Sequence, residues 1–218
     1  MDGVYFRISR PVAPGTAPRA AVFLDRDGVI TEDTHYLHRP DDVIFIPGGL
    51  DAVVKINRLG FPVVLVTNQA GIGRGYYGWQ DFELVQGFIE RKLESLGGWL
   101  DGVWACACHP DGVAEDPARY YRKPNPGMLE HAAAELGLDL GHSWLAGDKS
   151  CDIEAAMNAG LKGAVHVLTG YGREVRDDVL RLDREKRSSC GVHYCDTVQD
   201  MVSLLEMNRS IQAAGLNQ

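Results

Sequence analysis

Apolar and polar positions along this chain follow two periods, and the changes from one to the other mark out its elements. Apolar runs at residues 21–24, 61–66, 103–108, 143–147 and 163–168 are too short for helices. Nearly every position in them is apolar, the pattern of strands buried on both faces. Between the runs, apolar residues recur three and four apart. Leu50, Val53, Val54, Ile56 and Leu59 form one helical stripe, with Gly60 placed to end it. Phe82, Val85, Ile89 and Leu93 form another, in a helix predicted over about 79–96. Asn125-Pro126 opens a third helix, with Asn as N-cap and Pro at the first helical position, and it ends near Gly137. A fourth is expected over 153–158. The tail is predicted to hold a solvated, charged helix face over 173–187, a short strand near Val192-His193-Tyr194 and a helix over 198–207. Residues 1–19, with Pro11, Pro14, Gly15 and Pro18, read as an irregular leader, and 31–47 as a polar flap.

Strands alternating with helices predict one α/β domain over 20–210, with a mostly parallel sheet between two helical layers. Ligands of such sheets gather at the carboxyl ends of the strands. Three polar clusters fall at such ends: Asp25 and Asp27, Thr67-Asn68, and Asp148.

At 218 residues the chain is long enough to bury a substantial core. Its formal net charge of −8 speaks against a general nucleic-acid binder, which needs a basic face, but not against an anionic small molecule. No run approaches the ~18 apolar residues of a membrane span, and no secretory signal is evident. The five cysteines are odd in number and are read as reduced thiols, so a cytoplasmic protein is expected.

The chemistry starts at Asp25-Arg26-Asp27-Gly28. Two carboxylates so close repel each other and call for a metal, a shared proton or a cationic substrate; the plain alternative is an acidic turn. Gly147-Asp148-Lys149-Ser150-Cys151-Asp152 follows a strand in the same way. Asp25, Asp148 and a backbone carbonyl near Asp27 suit a hard divalent cation such as Mg²⁺. Asp152 could be a further ligand, an anchor behind the ligands, or an acid of a first helical turn. Lys123, just before a helix start, could neutralise a transferring phosphoryl group or simply sit on the surface. Thr67 and Asn68 could hold phosphate oxygens or bond their own turn. Gly71-Ile72-Gly73-Arg74-Gly75 has the wrong spacing for a dinucleotide fingerprint and suits presentation of Arg74 to an anion. His35 and His38, in the flap, could touch substrate but read first as bystanders, and Tyr76, Tyr77 and Trp79 could wall the pocket but read first as packing.

Taken together, these segments resemble the haloacid dehalogenase-like (HAD) superfamily of aspartate-nucleophile hydrolases. Its four signatures match, in order, Asp25-x-Asp27-Gly28, Thr67-Asn68, Lys123 and Gly147-Asp148-x-x-x-Asp152, over residues 20–170. The resemblance implies a Rossmann-like three-layer α/β/α core and Mg²⁺-dependent phosphoryl transfer. Asp25 would form an aspartyl-phosphate and Asp27 would serve as general acid and base. Asp25, Asp27, Asp148 and Asp152 would form the metal site. His35-Tyr36-Leu37, the stretch 67–75 and Arg122-Lys123-Pro124-x-Pro126-Gly127-Met128 are similar to the branch holding heptose bisphosphate and histidinol-phosphate phosphatases. That likeness implies that Thr67, Asn68, Gln69, Arg74, Arg122 and Lys149 surround a small phosphorylated substrate, and the gaps leave no room for a large cap domain. Removal of the 7-phosphate of heptose 1,7-bisphosphate is the leading expectation. Histidinol-phosphate phosphatase, polynucleotide 3′-phosphatase and a non-catalytic phosphate sensor are the alternatives. Many members of the branch hold a zinc in the third loop through Cys-x-His and Cys-x-Cys pairs. Here Cys106-x-Cys108 and His109 face Arg119 and Tyr121, so no structural zinc is expected.

Overall fold

A computed structural model describes residues 3–215 except 14, 114 and 187, so that Pro14 and Arg187, named above, lie outside the described residues. Side chains of 210–215 are likewise outside it. Seven strands form one sheet: β1 (Val4–Ile8), β2 (Val22–Leu24), β3 (Val63–Asn68), β4 (Gly102–Cys106), β5 (Trp144–Gly147), β6 (Gly163–Val167) and β7 (Gly191–Cys195). Their order across the sheet is β1-β4-β3-β2-β5-β6-β7. All neighbours are parallel except β1, which pairs antiparallel with β4.

The helices are α1 (Gly49–Arg58), α2 (Ala70–Gly73), α3 (Trp79–Ser95), α4 (Gly127–Leu136), α5 (Ser150–Asn158), α6 (Arg176–Glu185) and α7 (Val198–Gly215). Because side chains alternate across a strand, β2 serves two cores at once. Val22 and Leu24 pack with Val53 of α1, Phe82 and Ile89 of α3 and Met201 of α7. Ala21 and Phe23 pack on the other face with Met128 of α4, Ile153 of α5 and Val179 of α6. This is the expected α/β/α sandwich.

Three local expectations are corrected. Residues 1–19 are not wholly irregular, because Val4–Ile8 extends the sheet beside β4. Asn125 does not cap α4: the cap position is Pro126, and the Asn125 amide is spent on the Arg119 carbonyl 2.9 Å away. The last helix runs past 207, to Gly215. Among the described residues, the connections 25–48 and 107–126 hold only single 3-10 turns, Pro40–Asp42 and Pro117–Tyr121, besides isolated bridges. Among the described residues there is accordingly no large cap domain, and no helix is long and apolar enough to cross a membrane.

From β2 the chain winds outward through β3 and β4 to one side, and from β5 through β6 and β7 to the other. The switch falls between β2 and β5, where the loops that leave the two carboxyl ends part and open a crevice. Leu24 pairs with Ala146 in register, so Asp25 and Asp148 leave the sheet within one residue of the same level.

Candidate active site

A cavity of about 340 Å³ lies over this switch, lined among others by Asp25, Asp27, Thr67, Asn68, Gln69, Arg122, Lys123 and Lys149. Asp25 closes β2 by donating its N–H to the Ala146 carbonyl at 3.0 Å, and its Oδ1 accepts from the Arg26 amide at 2.7 Å. The Lys123 ammonium reaches its Oδ2 at 3.0 Å and the Asp152 Oδ1 at 2.6 Å, and donates to the Val66 carbonyl at 2.8 Å. Burial opposes charge on Lys123, but Asp152 and Asp25 overcome it and hold the ammonium protonated well above the ordinary lysine range. Burial pushes the Asp25 carboxyl up to about 6; Lys123 works against that rise and Asp152 adds to it.

Asp148 is fully buried. Its Oδ2 accepts from the Tyr171 amide at 2.8 Å, while its Oδ1 is buried with no hydrogen-bond partner. Burial, then Asp152 and Asp25, push this carboxyl up to about 8. Among the described residues, Asp25, Asp148 and Asp152 are the one group of three metal-ligating side chains whose donor atoms lie within 4.8 Å of one another. Three buried carboxylates, one oxygen unpartnered, face the Lys123 ammonium and the more distant Lys149, which is itself paired with Asp33, and form a hard-oxygen donor set short of positive charge. That set fits a Mg²⁺ ion. Asp152 joins it while anchored, its Oδ2 accepting from the Lys149 amide at 3.0 Å at the start of α5.

The Asp27 side chain does not join the cluster. Arg26 grips it with Nε on Oδ1 and Nη2 on Oδ2, both at 3.0 Å, Gln69 donates to Oδ2 at 3.1 Å and Thr31 to Oδ1 at 3.2 Å. Burial would raise this carboxyl, but the Arg26 guanidinium overrides it and holds Asp27 below the usual range, hence ionised. Arg26 is itself fully buried, its guanidinium 5.4 Å from the Phe82 ring centre.

Several residues expected around the substrate are engaged elsewhere. The Asn68 amide clamps the Lys123 peptide, accepting from its N–H and donating to its carbonyl, both at 3.0 Å. Gln69 links Asp27, Thr67, Arg26 and Tyr77, which uses both its ends. Arg74 is absent from the cavity lining, and its guanidinium is paired with Asp111 at 2.6 Å on the surface. Lys149 lines the cavity, paired with Asp33 at 2.7 Å and lying 4.8 Å over the Tyr171 ring. Arg122 lines it too, and donates to the Cys108 carbonyl at 2.7 Å, with no carboxylate partner among the described residues.

The structure adds Asp33 and Tyr171, which the sequence does not announce, and brings in His35 and Tyr77, weighed there as bystander and packing. Asp33, His35, Tyr77 and Tyr171 line the cavity. The Tyr171 hydroxyl meets His35 Nδ1 at 3.1 Å across its mouth. His35 and Tyr36 both hold left-handed backbones, φ 51° and 62°, so the flap is locally strained where it meets the cavity. In the third loop the Cys106 thiol donates to the Ala118 carbonyl at 3.4 Å and the Cys108 thiol to Asp116 at 3.5 Å. Burial pushes the Cys106 thiol up to about 12. With the Arg119 guanidinium turned into the same loop, these residues do not fit a structural zinc.

Comparison with known proteins gives a consistent picture. The HAD-hydrolase-like family model matches residues 120–201. A D-glycero-beta-D-manno-heptose-1,7-bisphosphate 7-phosphatase of Mesorhizobium japonicum is 46% identical over 157 residues, 71% of each chain. A D-glycero-alpha-D-manno-heptose-1,7-bisphosphate 7-phosphatase of Burkholderia mallei is 41% identical over 143 residues, 65% of this chain and 76% of that one. A crystal structure of D,D-heptose 1,7-bisphosphate phosphatase from B. bronchiseptica, complexed with magnesium and phosphate, superposes with a TM-score of 0.74. It is 30% identical to this chain and covers 87% of it and 99% of its own length.

Proposed function

The chain belongs to the HAD-like hydrolases and is a phosphatase, and from that premise we propose that residues 20–210 form one catalytic domain. We assign its reaction as removal of the 7-phosphate from D-glycero-D-manno-heptose 1,7-bisphosphate, by way of an aspartyl-phosphate. The observation that carries the chemistry is the convergence of Asp25, Asp148 and Asp152, with donor atoms within 4.8 Å of one another and two of the three paired with the Lys123 ammonium. The names of the 37–46% identical relatives, of both anomeric specificities, support the substrate and favour it over histidinol phosphate. An acidic chain of net charge −8 does not suit a polynucleotide.

In this reading Asp25 is the nucleophile. Lys123, fixed by three partners, restrains its Oδ2 and meets the negative charge that develops on the equatorial oxygens. Asp25, Asp148, Asp152 and the carbonyl of Asp27 would hold Mg²⁺, which supplies charge neutralisation and orientation of the phosphoryl group. Asp27, kept ionised by Arg26 in the free enzyme, is ready as the base that takes a proton from the hydrolytic water. Its acid half needs a proton, and the arrival of a phosphate dianion raises a neighbouring carboxyl in the required direction. Thr67, Arg122 and Lys149 face the remainder of the substrate. Gln69 acts on Asp27, and Asn68 on the Lys123 peptide.

The test is Mg²⁺-dependent phosphate release from both heptose bisphosphate anomers, histidinol phosphate and a 3′-phosphorylated oligonucleotide, with Asp25→Asn as control. A preference of about a hundredfold in kcat/KM, or ~2.7 kcal/mol, for heptose bisphosphate is expected. A comparable preference for another member of the panel refutes the substrate. Undiminished turnover in Asp25→Asn refutes the nucleophile.

A further inference from the structure

We propose that Arg119 is a positioning residue for Arg122, an internal cation that straps together the loop between β4 and α4. The proposal rests on the reading above that Arg122 faces the non-reacting part of the substrate. The Arg119 guanidinium turns back across its own loop. Its Nη1 lies 3.3 Å from the carbonyl oxygens of His109 and Gly112 and 3.4 Å from that of Pro110, and its Nη2 lies 3.3 Å from Pro110. Each contact is at the long end of hydrogen bonding, so the convergence matters more than any one of them. Three carbonyl dipoles aimed at one centre repel each other unless positive charge stands there. A rigid planar fork of five N–H donors meets that need.

The rest of Arg119 is pinned on the other arm of the loop. The preceding residue, Ala118, donates its N–H to Asp116 at 2.9 Å and accepts the Cys106 thiol at 3.4 Å. The Arg119 carbonyl accepts from the Asn125 amide at 2.9 Å and from the Arg122 N–H at 3.0 Å. Arg119 therefore joins the outgoing arm, which carries Arg122, to the incoming arm. On the incoming arm the Cys108 carbonyl, immediately before the strapped stretch, accepts Arg122 Nη1 at 2.7 Å. Release of the strap frees that anchor. It leaves Lys123 in place, because Asp25, Asp152 and the Val66 carbonyl hold it from the sheet side. Arg119 itself is not among the residues lining the catalytic cavity.

The experiment compares the full chain with Arg119→Ala, Arg119→Lys, Arg122→Ala and the Arg119→Ala/Arg122→Ala double variant, all with Mg²⁺. Substrates are heptose bisphosphate and p-nitrophenyl phosphate, which lacks the polyol. Arg119→Ala should raise KM for the bisphosphate roughly tenfold with kcat kept within about twofold, leaving the aryl phosphate unaffected. Arg119→Lys should restore part of the loss, and Arg119→Ala should add nothing in the Arg122→Ala background. Hydrogen exchange of the amides over 109–113 should speed up in Arg119→Ala. An unchanged KM, independent effects of the two arginines, or an equal loss of kcat on both substrates overturns the proposal. If the wild type turns over the aryl phosphate but not the bisphosphate, the substrate reading has failed. Exchange at 109–113 then decides the strap by itself, unchanged protection overturning it.

Discussion

Replacing Gly170 by alanine tests whether the loop after β6 sets the position of Asp148. Gly170 has φ 55°, between Thr169, whose hydroxyl donates to the Gly28 carbonyl at 2.5 Å, and Tyr171, whose amide holds Asp148 at 2.8 Å. A Cβ on Gly170 would stand 2.6 Å from the Gly28 Cα and closer still to Asp148 Oδ2, against the 3.4 Å at which ordinary contact begins. Neither neighbour can yield cheaply. One is backbone, itself at φ 84°, and the other is a fully buried carboxylate. The left-handed conformation adds about 1–2 kcal/mol for alanine. The two loops must part by roughly 1 Å, and a displacement of that size in a catalytic group is worth on the order of a hundredfold in rate, or about 2.7 kcal/mol. The assay is phosphate release as a function of Mg²⁺ concentration, with a melting curve to establish folding. A roughly hundredfold lower kcat/KM with a raised Mg²⁺ requirement is expected. Gly160→Ala is the control: at φ 67° it bears the same backbone strain, but its Cβ meets nothing within 4 Å, so activity should survive. Full activity of Gly170→Ala at an unchanged Mg²⁺ requirement would refute the reasoning.

Two further outcomes follow from the same charges. Lys123→Met leaves Asp25 and Asp152 buried without their cation and should cost on the order of 3–5 kcal/mol in urea unfolding without metal, and less with Mg²⁺. An unaltered midpoint in chelator would show that the carboxylates are compensated elsewhere. In chelator, the folded state retains protons on Asp148 up to about pH 8 and on Asp25 up to about pH 6, whereas the unfolded chain releases them near its ordinary 3.8. Those groups therefore reduce stability progressively as pH rises from about 4 to 8, and the melting temperature without metal should fall across that window. Saturating Mg²⁺ should flatten the slope, and a melting temperature that rises with pH in chelator would contradict the assignment.

What the chain discloses in sequence follows the reach of local pattern. Asp25, Asp148 and Asp152 are legible because each follows an apolar run or opens a helix, and their convergence follows from a parallel sheet. The strand Val4–Ile8 was obscured by prolines that all lie beyond residue 10, although Tyr5 and Phe6 already carry a strand-like composition. Gly170 and Tyr171 have no charge and no motif to mark them; their role exists only because β6 lies beside β5. Arg26 sits in plain view between the two acids. That it would be wholly buried and grip Asp27 depends on Phe82 and Gln69, which arrive from distant segments. Arg74 shows the opposite limit, since its glycine-rich setting gives no sign of the pairing with Asp111 that the fold brings about.

The place of β2 in the sheet has a consequence for how such an enzyme can change. The strand that delivers Asp25 is laddered on both sides, by β3 and β5, and packed on both faces. Arg122, Asp33, His35 and Tyr171 belong to connections at the rim. Within that rim the connections differ: Arg122 adjoins Lys123 and the Tyr171 amide holds Asp148, whereas His35 stands on a flap that contributes no member of the carboxylate cluster. Drift in the flap around His35 can therefore reshape the cavity while the carboxylate cluster stays in place, whereas drift around β2 or in the loop of Tyr171 moves the cluster itself.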